Sequence, residues 1–137
     1  MNIRKVSMTL LLPISFFLLA LVGAVHLVTA QKAQYTYSSP SGRFILQNVL
    51  LAPWLGSWCD LAYIRVIDTH TPDSSFRTPL YSKYYTDMRM HEDDRVVGVI
   101  WFDFDKQQQS FSVGVPDWKD SWMNVFISNT PYQVVEN

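Results

Sequence analysis

LAYIRVID, Leu61 to Asp68, decides how most of the chain is read. Leu61, Tyr63, Arg65 and Ile67 alternate with Ala62, Ile64 and Val66, so one face is wholly apolar and the other carries the charge. A period of two with β-branched residues is the pattern of a half-buried strand. Upstream, SSPSG (Ser38 to Gly42) supplies a turn, with φ fixed at Pro40 and Gly42 able to take positive φ. RFILQNVLL then reads as the second arm of a hairpin begun at Tyr35.

Working downstream, THTPDSS breaks the strand and PLYSKYY offers a weaker one. RVVGVIWFDF, Arg95 to Phe104, is nearly continuously apolar, which predicts one central strand buried on both faces. DKQQQ is a polar hairpin loop leading to SFSVGV, and Pro116 ends that strand because it has no N–H to donate. DWKDS turns the chain into WMNVFIS, read as a final strand before NTPYQVVEN. About six or seven strands closed by frequent turns predict a mainly-β fold, a small antiparallel sandwich or open barrel. That β-domain is expected over residues 35–137, after a short polar link, QKAQ, at 31–34.

The first thirty residues follow a different rule. An apolar run without charge extends from Met8 to Val25 after Arg4 and Lys5, and Val6 to Ala30 is long enough for a bilayer core, which needs roughly 20 helical residues. Signal-peptide apolar regions are shorter, about 7 to 15 residues, which favours an uncleaved anchor; VTA before Gln31 is the feature that fits cleavage. His26, close to the outer end, reads as interfacial. Arg4, Lys5 and the amino terminus outweigh Lys32, so the N-terminus is expected in the cytoplasm of a bacterium and the β-domain in the periplasm, on the far side of the inner membrane.

Charge and composition narrow the function. Of the eleven Lys and Arg, nine follow Gln31, against twelve Asp and Glu, and this acidic balance argues against a nucleic-acid partner. Cys59 is the only cysteine, so no internal disulfide can form. No nucleophile elbow, zinc-protease, P-loop or dinucleotide motif occurs, and no catalytic residue is assigned. Neither HEDD (His91 to Asp94) nor DFD (Asp103 to Asp105) has the spacing of a calcium loop, so no metal or cofactor is expected. A nucleophile pair would need Cys59 within reach of His70 or His91, and nothing marks an activated thiolate; a carboxylate pair of a small envelope hydrolase is the other formal enzymatic alternative.

What remains is aromatic surface. All five tryptophans and all seven tyrosines follow Gln31. Trp54, Trp58, Trp118 and Trp122 fall in or beside expected turns, where aromatics are more often exposed and serve binding. Trp54, Trp58 and Trp118, flanked by the acidic turn Glu92, Asp93 and Asp94, form the expected partner surface, suited to a basic protein. A cap over one end of the sheet and contact with lipid headgroups are the competing readings.

SPSGRFILQ, LAYIRVID, VVGVIWFDF, FSVGV and FISNTP, in that order, resemble a family of small uncharacterised enterobacterial proteins with an N-terminal hydrophobic segment and a compact β-domain. The family's turn is Ser-Pro-Asp-Gly, where this chain has Ser41 in place of Asp. The resemblance implies the architecture and carries no catalytic residues. By analogy of architecture, the chain is expected to be a non-catalytic, membrane-anchored immunity protein that binds a secreted toxin or effector domain. The alternative is a structural or accessory subunit of a cell-envelope complex.

Overall fold

A computed structural model describes residues 3–135; residues 1, 2, 136 and 137, at the ends of the anchor and β-domain expected above, lie outside the described residues. The chain divides into two compact units, Met1–Ala30 and Gln31–Asn137. In the first, α1 spans Ile3–Thr29. Its stretch Ser7–Thr29, 23 residues of mean hydropathy 2.4, is long and apolar enough to cross a membrane, a test that a signal sequence also passes. At 1.5 Å per residue this is about 35 Å of helix, against a hydrocarbon core of about 30 Å. Both its threonine hydroxyls are satisfied within the helix: Thr9 donates to the Lys5 carbonyl at 2.7 Å and Thr29 to that of Val25 at 2.9 Å.

The second unit consists mainly of two five-stranded sheets. In the first sheet β1 (Tyr35–Ser38), β2 (Phe44–Leu50) and β3 (Leu61–Asp68) run antiparallel. Two short strands, β4 (Ser75–Arg77) and β5 (Tyr81–Ser82), pair with opposite ends of β3. The second sheet holds β6 (His91–Glu92), β7 (Val96–Val99), β8 (Phe102–Asp105), β9 (Ser110–Val113) and β10 (Tyr132–Val134), in the spatial order β10-β9-β8-β7-β6. Only β10 lies parallel to its neighbour, β9. The chain after Gln31 is therefore mainly β, built from two mostly antiparallel sheets.

Alternation along the strands explains the core. Phe44 and Leu46 of β2 and Ala62, Ile64 and Val66 of β3 join Val97, Val99, Phe102, Phe104, Phe111 and Val113 of the other sheet in one buried cluster. Phe104 sits at its centre, with ring centroids 6.2 Å from Phe44, 4.8 Å from Phe76 and 5.1 Å from Phe111. Each such ring taken out of water contributes roughly 2 to 3 kcal/mol.

Four sequence expectations need correction. RVVGVIWFDF is a hairpin, not one central strand: Val99 pairs with Phe102 across a turn at Ile100 and Trp101. The turn carries none of the Asn-Gly or Asp-Gly chemistry that marks most two-residue hairpins, so its apolar run disguised it. WMNVFIS holds a short helix, α2 (Asn124–Ile127), which buries Asn124 and Ile127. PLYSKYY keeps only the two residues of β5 before a 3-10 turn at Lys83–Tyr85. Finally, the face of LAYIRVID that carries Arg65 is not open: Tyr63 is fully buried and Leu61, Arg65 and Ile67 are half-buried, while Asp68 falls by alternation on the apolar face.

The break between β4 and β5 is repaired by side chains. Pro79 cannot donate to the ladder; beside it Thr78 N–H donates to the Ile64 carbonyl at 3.0 Å and the Thr78 hydroxyl, in place of a carbonyl, accepts from the Ile64 N–H at 2.9 Å. Leu80 N–H donates to Asn124 Oδ1 at 2.7 Å. Asn129 imitates a strand residue at the outer edge of β4, accepting from Arg77 N and donating to the Ser75 carbonyl, both at 2.7 Å. Covering of this kind blunts an edge that could otherwise pair with another chain.

Candidate functional site: two ends of the β unit

The turn residues expected to form one partner surface lie at two different ends of the β unit. β2 and β3 connect through Leu51–Asp60, beyond Leu50, whereas the β1–β2 turn lies beyond Phe44. Ser41 in that turn donates its N–H to Glu92 Oε2 at 3.2 Å, which fixes the acidic segment there. The seven residues of β2 separate this acidic end from the tryptophan loop, a distance of about 20 Å. Trp54 and Trp58 therefore do not share a surface with Glu92, Asp93 and Asp94.

The tryptophan loop is a 3-10 segment, Pro53–Trp58, with no buried residue. Pro53 starts it, and Gly56 at φ 57° bends it in the middle, a conformation natural for glycine. Leu51 and Ala52 are buried at its root, whereas Trp54 is 68% exposed, Trp58 91% and Leu55 48%. From Leu50 to Cys59 there is no charged side chain. Asp60 then meets Lys83 at 3.1 Å, and the exposed ring of Tyr84 lies beside the Lys83 ammonium. Beneath this end runs a polar chain: Asn48 donates to Gln34 at 3.1 Å, Tyr81 OH to Asn48 Oδ1, and the Tyr81 and Thr86 hydroxyls lie 3.1 Å apart. Burial pushes the Tyr81 phenol up to about 12, the Thr86 hydrogen bond acting against it.

The acidic end is built the opposite way, from groups held in place. The Glu92 side chain is only 7% exposed and pairs with Lys106 at 3.1 Å. Burial alone would raise its pKa, but hydrogen bonds from Ser41, Lys106 and Ser39 together outweigh burial and hold it at about 2. Asp93 accepts the N–H groups of Arg95 at 2.8 Å and Val96 at 2.7 Å, and these bonds lower its pKa. Asp105 does the same for Gln107 and Gln108 and receives Arg95 at 2.8 Å. Asp68 takes both nitrogens of the Arg43 fork, which holds its carboxyl below the usual range. Asp94 stands exposed at the tip of the turn that Asp93 fixes.

Trp118 belongs to neither end as an exposed group. Its Nε1 donates to the Leu80 carbonyl at 2.9 Å, and it packs edge-on to Tyr132 against the core. Trp122 is the exposed ring of that region, at 76%. With Val125 it rims an open groove of about 580 Å³ in which Asp120 accepts from Asn124. Reading WMNVFIS as a strand hid this pair, which lies three residues apart on one side of a helical turn.

A row of polar groups crosses the second sheet and was not anticipated. His91, Gly98, Asp103, Ser112 and Gln133 are successive register partners. His91 Nε2 reaches Asp103 Oδ1 over Gly98, where a Cβ would meet both the Asp103 carboxylate and the Phe102 carbonyl. Glycine inside VVGV was the available signal, since it marks close approach in a strand. Asp103 lies between His91 and Ser112, so the histidine does not bridge a hydroxyl to a carboxylate as a nucleophilic triad requires. Asp103 and Asp105 are drawn apart to His91 and Arg95. Among the described residues no group of three or more His, Cys, Asp or Glu is gathered to hold a metal ion. Cys59 and His70 lie beyond opposite ends of β3.

No family model matches the chain, and no curated protein or solved structure matches it.

Proposed function

We propose that the chain is a non-catalytic binding protein anchored by α1 in a bacterial inner membrane, its β unit periplasmic and its acidic end directed at a basic protein. In this reading it is an immunity factor that neutralises a secreted effector. The observation that carries the reading is the acidic end itself. Glu92, Asp93, Asp105 and Asp68 are held by backbone and cationic partners, leaving Asp94 presented on a fixed turn. Preset charge steers a partner of opposite sign and fixes its register. The two-sheet core lends rigidity of the kind a sandwich or small barrel has.

The test is protection. Cells lacking the chain are expected to be sensitive to neighbours that deliver the effector, and wild-type chain should restore growth. Asp94→Lys, present at equal membrane level, should restore at least tenfold less survival, because charge reversal places a repulsive group at the contact. Absence of sensitivity in the deletion, or full protection by Asp94→Lys, would sink the reading. The apolar surface of α1 favours a second reading, an accessory subunit assembled through its helix. Exchanging α1 for an unrelated spanning helix separates the two, since immunity survives that exchange and helix-mediated assembly does not.

A further inference from the structure

We infer that the Pro53–Trp58 loop is a lipid-contacting foot, seated in the headgroup region of the same bilayer that α1 spans. The assignment rests on the membrane anchoring proposed above and adds a second, independent point of attachment to it.

Three observations carry it. The first is composition: Trp54, Leu55 and Trp58 are exposed, within a ten-residue run from Leu50 to Cys59 that holds no charge. Nothing lies within 4 Å of a Cβ built on Gly56, so the loop is open at its bend. Tryptophan concentrates at membrane–water boundaries because its ring is apolar and its N–H wants a polar neighbour.

The second is position within the β unit. Gln34 donates its N–H to the Asn48 carbonyl at 2.8 Å, and the Gln31 carbonyl accepts from Arg65 at 3.1 Å. The linker is thus tied to the first sheet at the Asn48 end of β2. Tyr35 pairs with Asn48, and β2 runs on past it to Leu50 and the loop. Pro53 is five residues beyond Asn48, a reach of at most about 17 Å. The β unit begins at the end of the first sheet that carries the loop, and the acidic end lies a strand length further off.

The third is the surroundings. Tyr35 and Tyr84, both exposed, line a groove of about 510 Å³ at this same end together with Lys83 and Asp87, and Tyr37, two residues further along β1, extends it. Exposed tyrosine is characteristic of an interfacial belt, its ring among the acyl carbonyls, and Lys83, paired with Asp60 at 3.1 Å, stands beside it. A soluble protein partner would call for a rim of preset polar groups, and between Pro53 and Trp58 the side chains offer only the Ser57 hydroxyl and the two indole N–H groups.

The experiment uses the full chain reconstituted in vesicles of phosphatidylcholine brominated near the headgroup end of its acyl chains. α1 contains no tryptophan, so quenching reports on the β unit alone. Wild-type emission is expected to lose up to about two-fifths, the share of Trp54 and Trp58 among the five tryptophans, with a blue shift relative to detergent. Trp54→Ser with Trp58→Ser should abolish that loss while near-ultraviolet circular dichroism keeps the signature of the packed core. Quenching that persists in the double variant overturns the assignment, as does a wild-type chain that resists alkaline extraction yet shows no quenching; the tryptophans would then be left for a protein partner. A chain that alkali strips from the vesicles overturns the anchoring itself, and the foot with it.

Discussion

The two ends of the β unit are made of opposite materials. At the tryptophan end, large side chains project from a 3-10 loop with no buried residue. At the acidic end, almost every carboxylate is tied to a backbone N–H, an arginine fork or a lysine. The difference fits the two roles proposed for these surfaces. Contact with lipid is non-directional and gains from area alone, so a lipid-contacting loop would need exposure rather than fixed geometry. Recognition of a basic partner weakens when side chains must first be ordered, so a surface for it would be served by acidic groups held in advance.

The largest expected effect strikes both ends together. Phe104→Ala empties the centre of the core the two sheets share and should cost about 3 to 5 kcal/mol. Urea unfolding in detergent, followed by near-ultraviolet circular dichroism, should show one transition at lower urea; two separated transitions would mean that the ends are stabilised independently.

A smaller effect should be confined to the acidic end. Glu92→Gln keeps the volume of a side chain that is 7% exposed but removes its charge-assisted bonds to Ser41 and Lys106, for a loss on the order of 2 kcal/mol. The same group gives a pH dependence whose sign is determined. Its folded pKa, about 2, lies below the ordinary 4.5, so its contribution is complete above about pH 4.5 and is lost as pH falls towards 2. Asp68, Asp93 and Asp105, also lowered, act in the same direction. Acid titration of the unfolding midpoint should be steep over that window in the wild type and shallower in Glu92→Gln; equal slopes would remove Glu92 from the account.

The smallest effect is at the other end. Trp54→Ser with Trp58→Ser should change the unfolding free energy by less than about 0.5 kcal/mol, because neither ring is packed. A loss above about 2 kcal/mol in the same urea assay would make the loop part of the core and erase the contrast between the ends.

Much of the β unit was legible residue by residue. Leu61 to Asp68 alternates and is a strand, SPSG turns between β1 and β2, and SFSV is β9. The hairpin at Ile100 and Trp101 was not legible, because the turn uses apolar residues that read as continued strand. α2 was hidden for a related reason: four residues are too few to show a helical period, and apolar NVFI fits a strand equally well. At the candidate site, Trp54 and Trp58 were recognisable as turn aromatics. Trp118 had the same local signature and yet packs against the core, its N–H bonded to Leu80, a residue 38 positions away.

The sequence by itself determined what depends on neighbours along the chain: an apolar segment long enough to span a bilayer, the strand alternation of β2 and β3, an acidic balance and a single thiol. Only the tertiary structure decided which of these features meet. Ser41 and Glu92 are 51 residues apart and bonded, whereas the tryptophan loop and the acidic turn, both next to strands and both suggestive of binding, are held a strand length apart. Strand register does this, because β2 carries the β1–β2 turn at one end and Pro53–Trp58 at the other. Side-chain chemistry chose the two surfaces, and the antiparallel pairing of β2 with β3 placed them at opposite ends.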